Sequence, residues 1–198
     1  MQDPYLFLGL GNPGRTYERT RHNVGFLSVD LAAEELAVRL RRPLFCQYQV
    51  GRTDAWGVRY ILVKPLTYMN RSGTVLPRLM KKYGISSRSL VVFCDNMDLP
   101  PGAVRIRQGG GTAGHRGLLS ITRELHESGF IRIYIGIGRP KAGCSVVDHV
   151  LGVPDEEESR MILKGVSRAR DAALQLFTQP LERVMNEYNR KDAHITAT

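Results

Sequence analysis

A single α/β domain, with helices flanking a twisted, mixed and mostly parallel β-sheet, is the fold class this sequence predicts. Three observations predict it. Short apolar runs alternate with amphipathic stretches of helical length along the whole chain. No linker and no internal repeat divides it. The 198 residues, 42% hydrophobic and 24% charged, suit one domain spanning 1–198 with a buried core.

The elements follow in order. YLFLGLG (5–11) is an apolar run closed by glycine and reads as a buried strand. Residues 24–40 follow a helical pattern, with Phe26, Leu27, Leu31, Leu36 and Leu40 on the apolar side, and Arg41-Arg42-Pro43 ends it. Residues 45–50 and 59–63 read as strands, the second stopped by Lys64-Pro65. A helix spans 70–83 up to Gly84, with a kink or a late start at Pro77. SLVVFCD (89–95) is another buried strand, LPPG (99–102) a turn, and AVRIRQ (103–108) a half-exposed strand. Residues 117–127 form a helix, and IRIYIGIG (131–138) alternates again as a strand. Pro154, followed by Asp155, Glu156, Glu157 and Glu158, starts a helix that reaches 177. A last helix covers 181–190, and the tail 191–198 frays.

Composition narrows the setting. No apolar run approaches the roughly 20 residues that cross a bilayer. The start MQDPYLFLGLGNPG lacks a basic leader and meets a turn at once, so it reads as a strand and not as a signal peptide. Cys46, Cys94 and Cys144 are odd in number and form no CxxC pair, which fits reduced thiols in a cytoplasm. The net charge of +9 rests mostly on arginine. Such a balance favours an anionic polymer as partner, against the plainer reading of a solvated basic surface.

In an α/β sheet, sites gather beyond the carboxyl ends of strands. Asn12, Asn70 and Asp95 all follow or close predicted strands. Gly9-Leu10-Gly11-Asn12-Pro13-Gly14 matches GxGxxG, but Pro13 and the polar run after it delay the helix, and no ribose-binding acid follows at the required distance. A plain turn is the better reading. His22, in TRHN before an apolar helix, is either a capping residue or a base that needs a carboxylate partner. Asp95 is the candidate partner, since a carboxylate ending LVVFC is partly buried; Asp98 is the second choice. No GxSxG occurs, so the attacking group is water, with Asn12, Asn23 and Asn70 to position it and to donate to a developing oxyanion. No His/Asp/Glu cluster shows metal-ligand spacing, and no cofactor is called for. Tyr17 and Tyr68 either stack on a base or simply pack. Met69 reads as a pocket wall.

GLGNPGRTYERTRHNVGF (9–26), KPLTYMNRSG (64–73), DNMDLPPGAVRIR (95–107) and GGGTAGHRGLLSI (109–121) together resemble bacterial-type peptidyl-tRNA hydrolases. GIGRP (136–140) and VLG (150–152) fit the later pattern, so the resemblance covers nearly the whole chain. It implies a monomeric, cytoplasmic enzyme without metal or cofactor. Such an enzyme cleaves the ester between a peptide and the 3′-terminal ribose of tRNA. Carried over by motif, His22 is the general base, Asp95 holds its imidazole, and Asn70 orients water and substrate. Asn12 recognises the peptide amide, and Tyr17, Tyr68 and Met69 contact the 3′ end or line the pocket. Arg105, Arg107, Arg132 and Arg139 are the candidates for gripping tRNA phosphates.

The chain departs from the family pattern at four places. Arg116 stands for a substrate-binding asparagine, Ala113 for a glycine, Leu119 for a lysine and Asn96 for an acid. Arg116 motivates a competing expectation, an RNA-binding homologue with weakened or lost hydrolysis.

Overall fold

Along the first strand, Leu6 and Leu8 face one side of a sheet and Phe7 the other, and all three are buried. A strand covered on both faces belongs to a layered α/β architecture. The computed structural model describes residues 4–190 and has that architecture. The expected fraying of 191–198 lies outside the described residues.

Six strands form one mixed sheet: β1 (Tyr5–Gly9), β2 (Tyr48–Ala55), β3 (Val58–Pro65), β4 (Leu90–Asn96), β5 (Val104–Gln108) and β6 (Ile131–Gly136). Their order is β2-β3-β1-β4-β6-β5. The inner four are parallel, with Phe7 opposite both Leu62 and Val91, and each edge strand pairs antiparallel. α1 (Val24–Glu35), α5 (Glu156–Gln175) and α6 (Leu181–Tyr188) close one core around Phe7, Phe93 and Ile133. α2 (Leu76–Tyr83) and α3 (Arg116–Leu125) close the other around Leu8, Val92 and Ile61. The short α4 (Val146–Leu151) stands beside the carboxyl ends of β4 and β6.

Several boundaries move for physical reasons. α1 stops at Glu35 and not near residue 40, because Ala37 turns the chain at φ 52°. β2 starts at Tyr48 and not at 45. Phe45 is fully exposed at φ 60°, outside any ladder. β2 then runs on to Ala55, because Trp56 and Gly57, both at positive φ, close a tight hairpin. At Pro77 the late start is what occurs. Residues Met69–Val75 form tight 3-10 turns, and α2 begins at Leu76 with proline in its first turn. Asp155 caps α5 by accepting the Glu158 N–H at 2.9 Å. The helix α4 was not expected; Ser145 caps it through the Asp148 N–H at 3.1 Å.

Close backbone approach at Gly25 positions the site. A Cβ there would lie 2.5 Å from the main chain of both Leu10 and Phe93. The start of α1 therefore rests directly on β1 and β4, which carries the preceding turn, with His22, against the end of the sheet.

Candidate active site

β1 hands the chain to Asn12, which is held from three sides. Its main-chain N–H donates to Asn23 Oδ1 at 2.8 Å, and the Asn23 amide donates back to Asn12 O at 3.0 Å. The Met69 N–H donates to Asn12 Oδ1 at 2.8 Å. With Oδ1 occupied, the NH2 end of Asn12 is the one offered to the pocket.

The turn Arg21–Asn23 carries His22, and the end of β4 carries Asp95, which is only 4% exposed. His22 Nδ1 lies 2.7 Å from Asp95 Oδ1. The same oxygen lies 3.1 Å from His115 Nε2. His115 caps α3: its Nδ1 accepts the N–H groups of Gly117 at 3.1 Å and Leu118 at 3.4 Å. A ring nitrogen that accepts carries no proton, so the neutral His115 donates from Nε2 to Asp95. Burial pushes the Asp95 carboxyl upward, but the electrostatic pull of the His22 and His115 rings and the hydrogen bonds they donate outweigh it and hold the carboxyl well below its usual range. An ionised Asp95 fixes the His22 proton on Nδ1 and leaves Nε2 as the basic lone pair.

One ligand atom each from His22, Asp95 and His115 lies within 4.8 Å of the others, so this trio could hold a metal ion. Sequence spacing concealed the cluster, because His115 reaches Asp95 only through the fold. A metal there would replace both hydrogen bonds.

A pocket of about 600 Å³ opens above these groups. Asn12, Tyr17, His22, Tyr68, Met69, Asn70, Asp95 and Arg116 all line it. Tyr68, 64% exposed, and Asn70 stand at the mouth, and Val146 and Val150 of α4 supply an apolar wall. Arg21, the neighbour of His22, grips Glu158 at 2.7 and 2.6 Å through a two-pronged ion pair and also donates to His149 O at 3.1 Å. That clamp ties the histidine turn to α4 and α5.

The family model described as peptidyl-tRNA hydrolase matches residues 6–196. The chain belongs to the peptidyl-tRNA hydrolase family. It is 44% identical to the peptidyl-tRNA hydrolase of Geobacillus thermodenitrificans over 184 residues, 93% of this chain and 98% of that one. Against the Bacillus subtilis peptidyl-tRNA hydrolase it is 44% identical over 186 residues, 94% and 98% of the two chains. The crystal structure of peptidyl-tRNA hydrolase from Acinetobacter baumannii superposes with a TM-score of 0.89 at 34% identity, covering 96% of each chain. Membership of this family makes the chain a hydrolase connected with translation.

The structure separates the expected family residues. Arg132 cannot grip phosphate, because it is fully buried. Its guanidinium donates to Gly110 O at 2.6 Å and to Gly111 O, and lies 4.6 Å from the centre of the Phe130 ring. It pins the glycine-rich loop from beneath. Arg139 stands outside the pocket lining, paired with Asp98 at 2.7 Å, so Asp98 is engaged away from His22. Arg105 and Arg107 are exposed on the edge strand β5. Among the departures from the family pattern, Ala113 sits at φ 46°, a left-handed conformation natural to glycine. Asn96 accepts the Asp98 N–H at 2.7 Å, a role an acid serves equally. Arg116 opens α3 on the pocket wall.

Proposed function

We propose that this chain hydrolyses the ester between the peptide and the 3′-terminal ribose of peptidyl-tRNA, using water activated by His22 and no metal. The observation that carries the reading is the His22 Nδ1–Asp95 contact of 2.7 Å, which leaves His22 Nε2 as the free base lining the pocket. Nε2 takes a proton from water as the water oxygen attacks the ester carbonyl carbon. Asn70 and the free NH2 of Asn12 supply donors for the oxyanion and for the adjoining peptide carbonyl. As the tetrahedral species collapses, the carbon–ribose oxygen bond breaks and His22 returns its proton to that oxygen. A free hydroxyl on tRNA and a peptide carboxylic acid result, and the acid releases its proton to solvent to become a carboxylate. An aminoacyl-tRNA has a free amine in place of the amide and no peptide carbonyl, so Asn12 finds no acceptor and that substrate is spared.

We assign the enzyme as a monomer that works in the cytoplasm, where its substrate arises. Among the described residues, no helix is long and apolar enough to cross a membrane.

The test is ester release from N-acetyl-aminoacyl-tRNA in the presence of EDTA. Turnover is expected. Turnover that appears only when a divalent metal is restored would replace the His22 mechanism with one using the His22–Asp95–His115 trio as ligands. Arg116 on the pocket wall favours a second reading, weakened hydrolysis. A large gain in kcat from Arg116→Asn would support it.

A further inference from the structure

Between Asp54 and Asp95 the sequence contains no aspartate or glutamate, yet it carries Arg59, Lys64, Arg71, Arg78, Lys81, Lys82 and Arg88. Arg59 and Lys64 pair with Asp54 and Asp30. The other five are exposed and show no acidic partner among the described residues. Arg78, Lys81 and Lys82 lie three and four residues apart on α2, on one solvent ridge opposite buried Leu76 and Leu79. On the neighbouring α3, Arg116 and Arg123 are seven residues apart, two turns along one side, and are likewise exposed and unpaired. Both helices cover the same face of the sheet. Both rows begin at the pocket: Asn70 and Arg71 lie in the turns that feed α2, and Arg116 opens α3 beside His115.

The opposite face has a different charge pattern. On α1, α5 and α6 acids are plentiful, and Arg160 and Arg170 are matched to Glu156 and Glu35. The α2 row carries no acid at all and runs out from the pocket, an alignment that a merely solvated basic surface does not require.

We propose that the paired cation rows of α2 and α3, with Arg78, Lys81 and Lys82 as the α2 row, seat the phosphate backbone of the duplex stem next to the substrate's 3′ end. This rests on the activity proposed above. Point charges that read phosphates without reading bases suit an enzyme that accepts many RNA sequences. A duplex fits better than a loose strand. Single strands need exposed rings to stack on, and α2 and α3 present none: Tyr68 stands at the pocket mouth, and Tyr83, beside Lys82, packs partly into the core. α2 is roughly 12 Å long, so its row reaches well beyond the scissile ester.

The experiment compares wild type with the triple variant Arg78→Gln, Lys81→Gln, Lys82→Gln on two substrates over a salt series. One is N-acetyl-aminoacyl-tRNA; the other is the same ester on a short single-stranded 3′ fragment. For the full tRNA, KM should rise while kcat holds. The log–log slope of binding against salt should fall by about one for each lost contact. For the fragment nothing should change. An unchanged salt slope with full tRNA overturns the proposal, as does an equal loss on both substrates. Binding of deacylated tRNA, measured in parallel, reads the rows without the chemistry. Absent hydrolysis by wild type would therefore sink the activity, while the binding slope still decides the rows. Wild-type binding to phosphatidylserine vesicles, lost in the variant while tRNA binding persists, would assign the rows to a membrane surface and overturn the proposal.

Discussion

On the floor of the pocket, His22 and His115 hold Asp95, and Asn12 is held from beneath by Asn23, through hydrogen bonds between 2.7 and 3.1 Å. At the rim, Tyr68, Asn70 and Arg116 are exposed, and none shows a side-chain hydrogen bond among the described residues. The floor comes from strand ends and helix starts that the core fixes in place; the rim comes from turns and from the exposed first residue of α3. The difference teaches which changes touch chemistry and which touch substrate. On the mechanism proposed above, a floor residue alters the state of the base, and a rim residue alters how the substrate and its developing oxyanion are held.

The sharpest way to break this division is His22→Ala. It should lower kcat by roughly 10²–10⁴-fold and leave tRNA binding intact. Equal loss of binding would make His22 a structural residue. Asp95→Asn should come next, with kcat down by about 10²-fold, since an amide no longer fixes the Nδ1 proton. The same variant reports on acid stability. The Asp95 carboxyl lies below its ordinary range in the fold, so its ionisation stabilises the protein fully above about pH 4. That contribution falls away as pH drops further. Urea unfolding between pH 2 and 5 should therefore show a shallower loss for Asp95→Asn than for wild type. Parallel curves would contradict the assignment.

Rim changes should act on a different scale. Arg132→Met strands the carbonyls of Gly110 and Gly111, and should cost about 3 kcal/mol, or roughly 10 °C in Tm. It should raise KM through a looser loop and leave the salt dependence of tRNA binding unchanged. A reduced salt slope would return Arg132 to the phosphate-binding set. Ala113→Gly should have the smallest effect, a gain of up to about 1 kcal/mol from relief of the left-handed conformation. Calorimetry that shows clear destabilisation would mean the alanine methyl makes a contact worth more than the strain.

The floor was largely legible in the sequence, because His22, Asp95 and Asn12 sit in long motifs, Asn12 and Asp95 at strand ends and His22 just before a helix. The rest was hidden by chain distance and by layering. His115 is twenty residues from Asp95, and nothing local marks it as more than a loop histidine. Arg132 reads as outward-facing in IRIYIGIG, but β6 lies inside a sheet covered on both faces, so both sides of its alternation are buried. α4 has only a short local signal, Ser145 three residues before Asp148 at its start. The ends of α1 and β2 depended on single residues at positive φ, Ala37 and Phe45, which no periodicity announces.

The grip of Arg132 on the loop is made entirely through main-chain oxygens, those of Gly110, Gly111 and Ser128. A hold of that kind is blind to side-chain identity at the positions it touches. Gly110, at φ 103°, is constrained by its own backbone, but Gly111 has open space around a would-be Cβ and Ser128 is exposed. Drift at 111 and 128 is therefore cheap, while the arginine beneath them has no substitute. The most changeable-looking segment of the rim hangs from a residue that is out of reach of solvent.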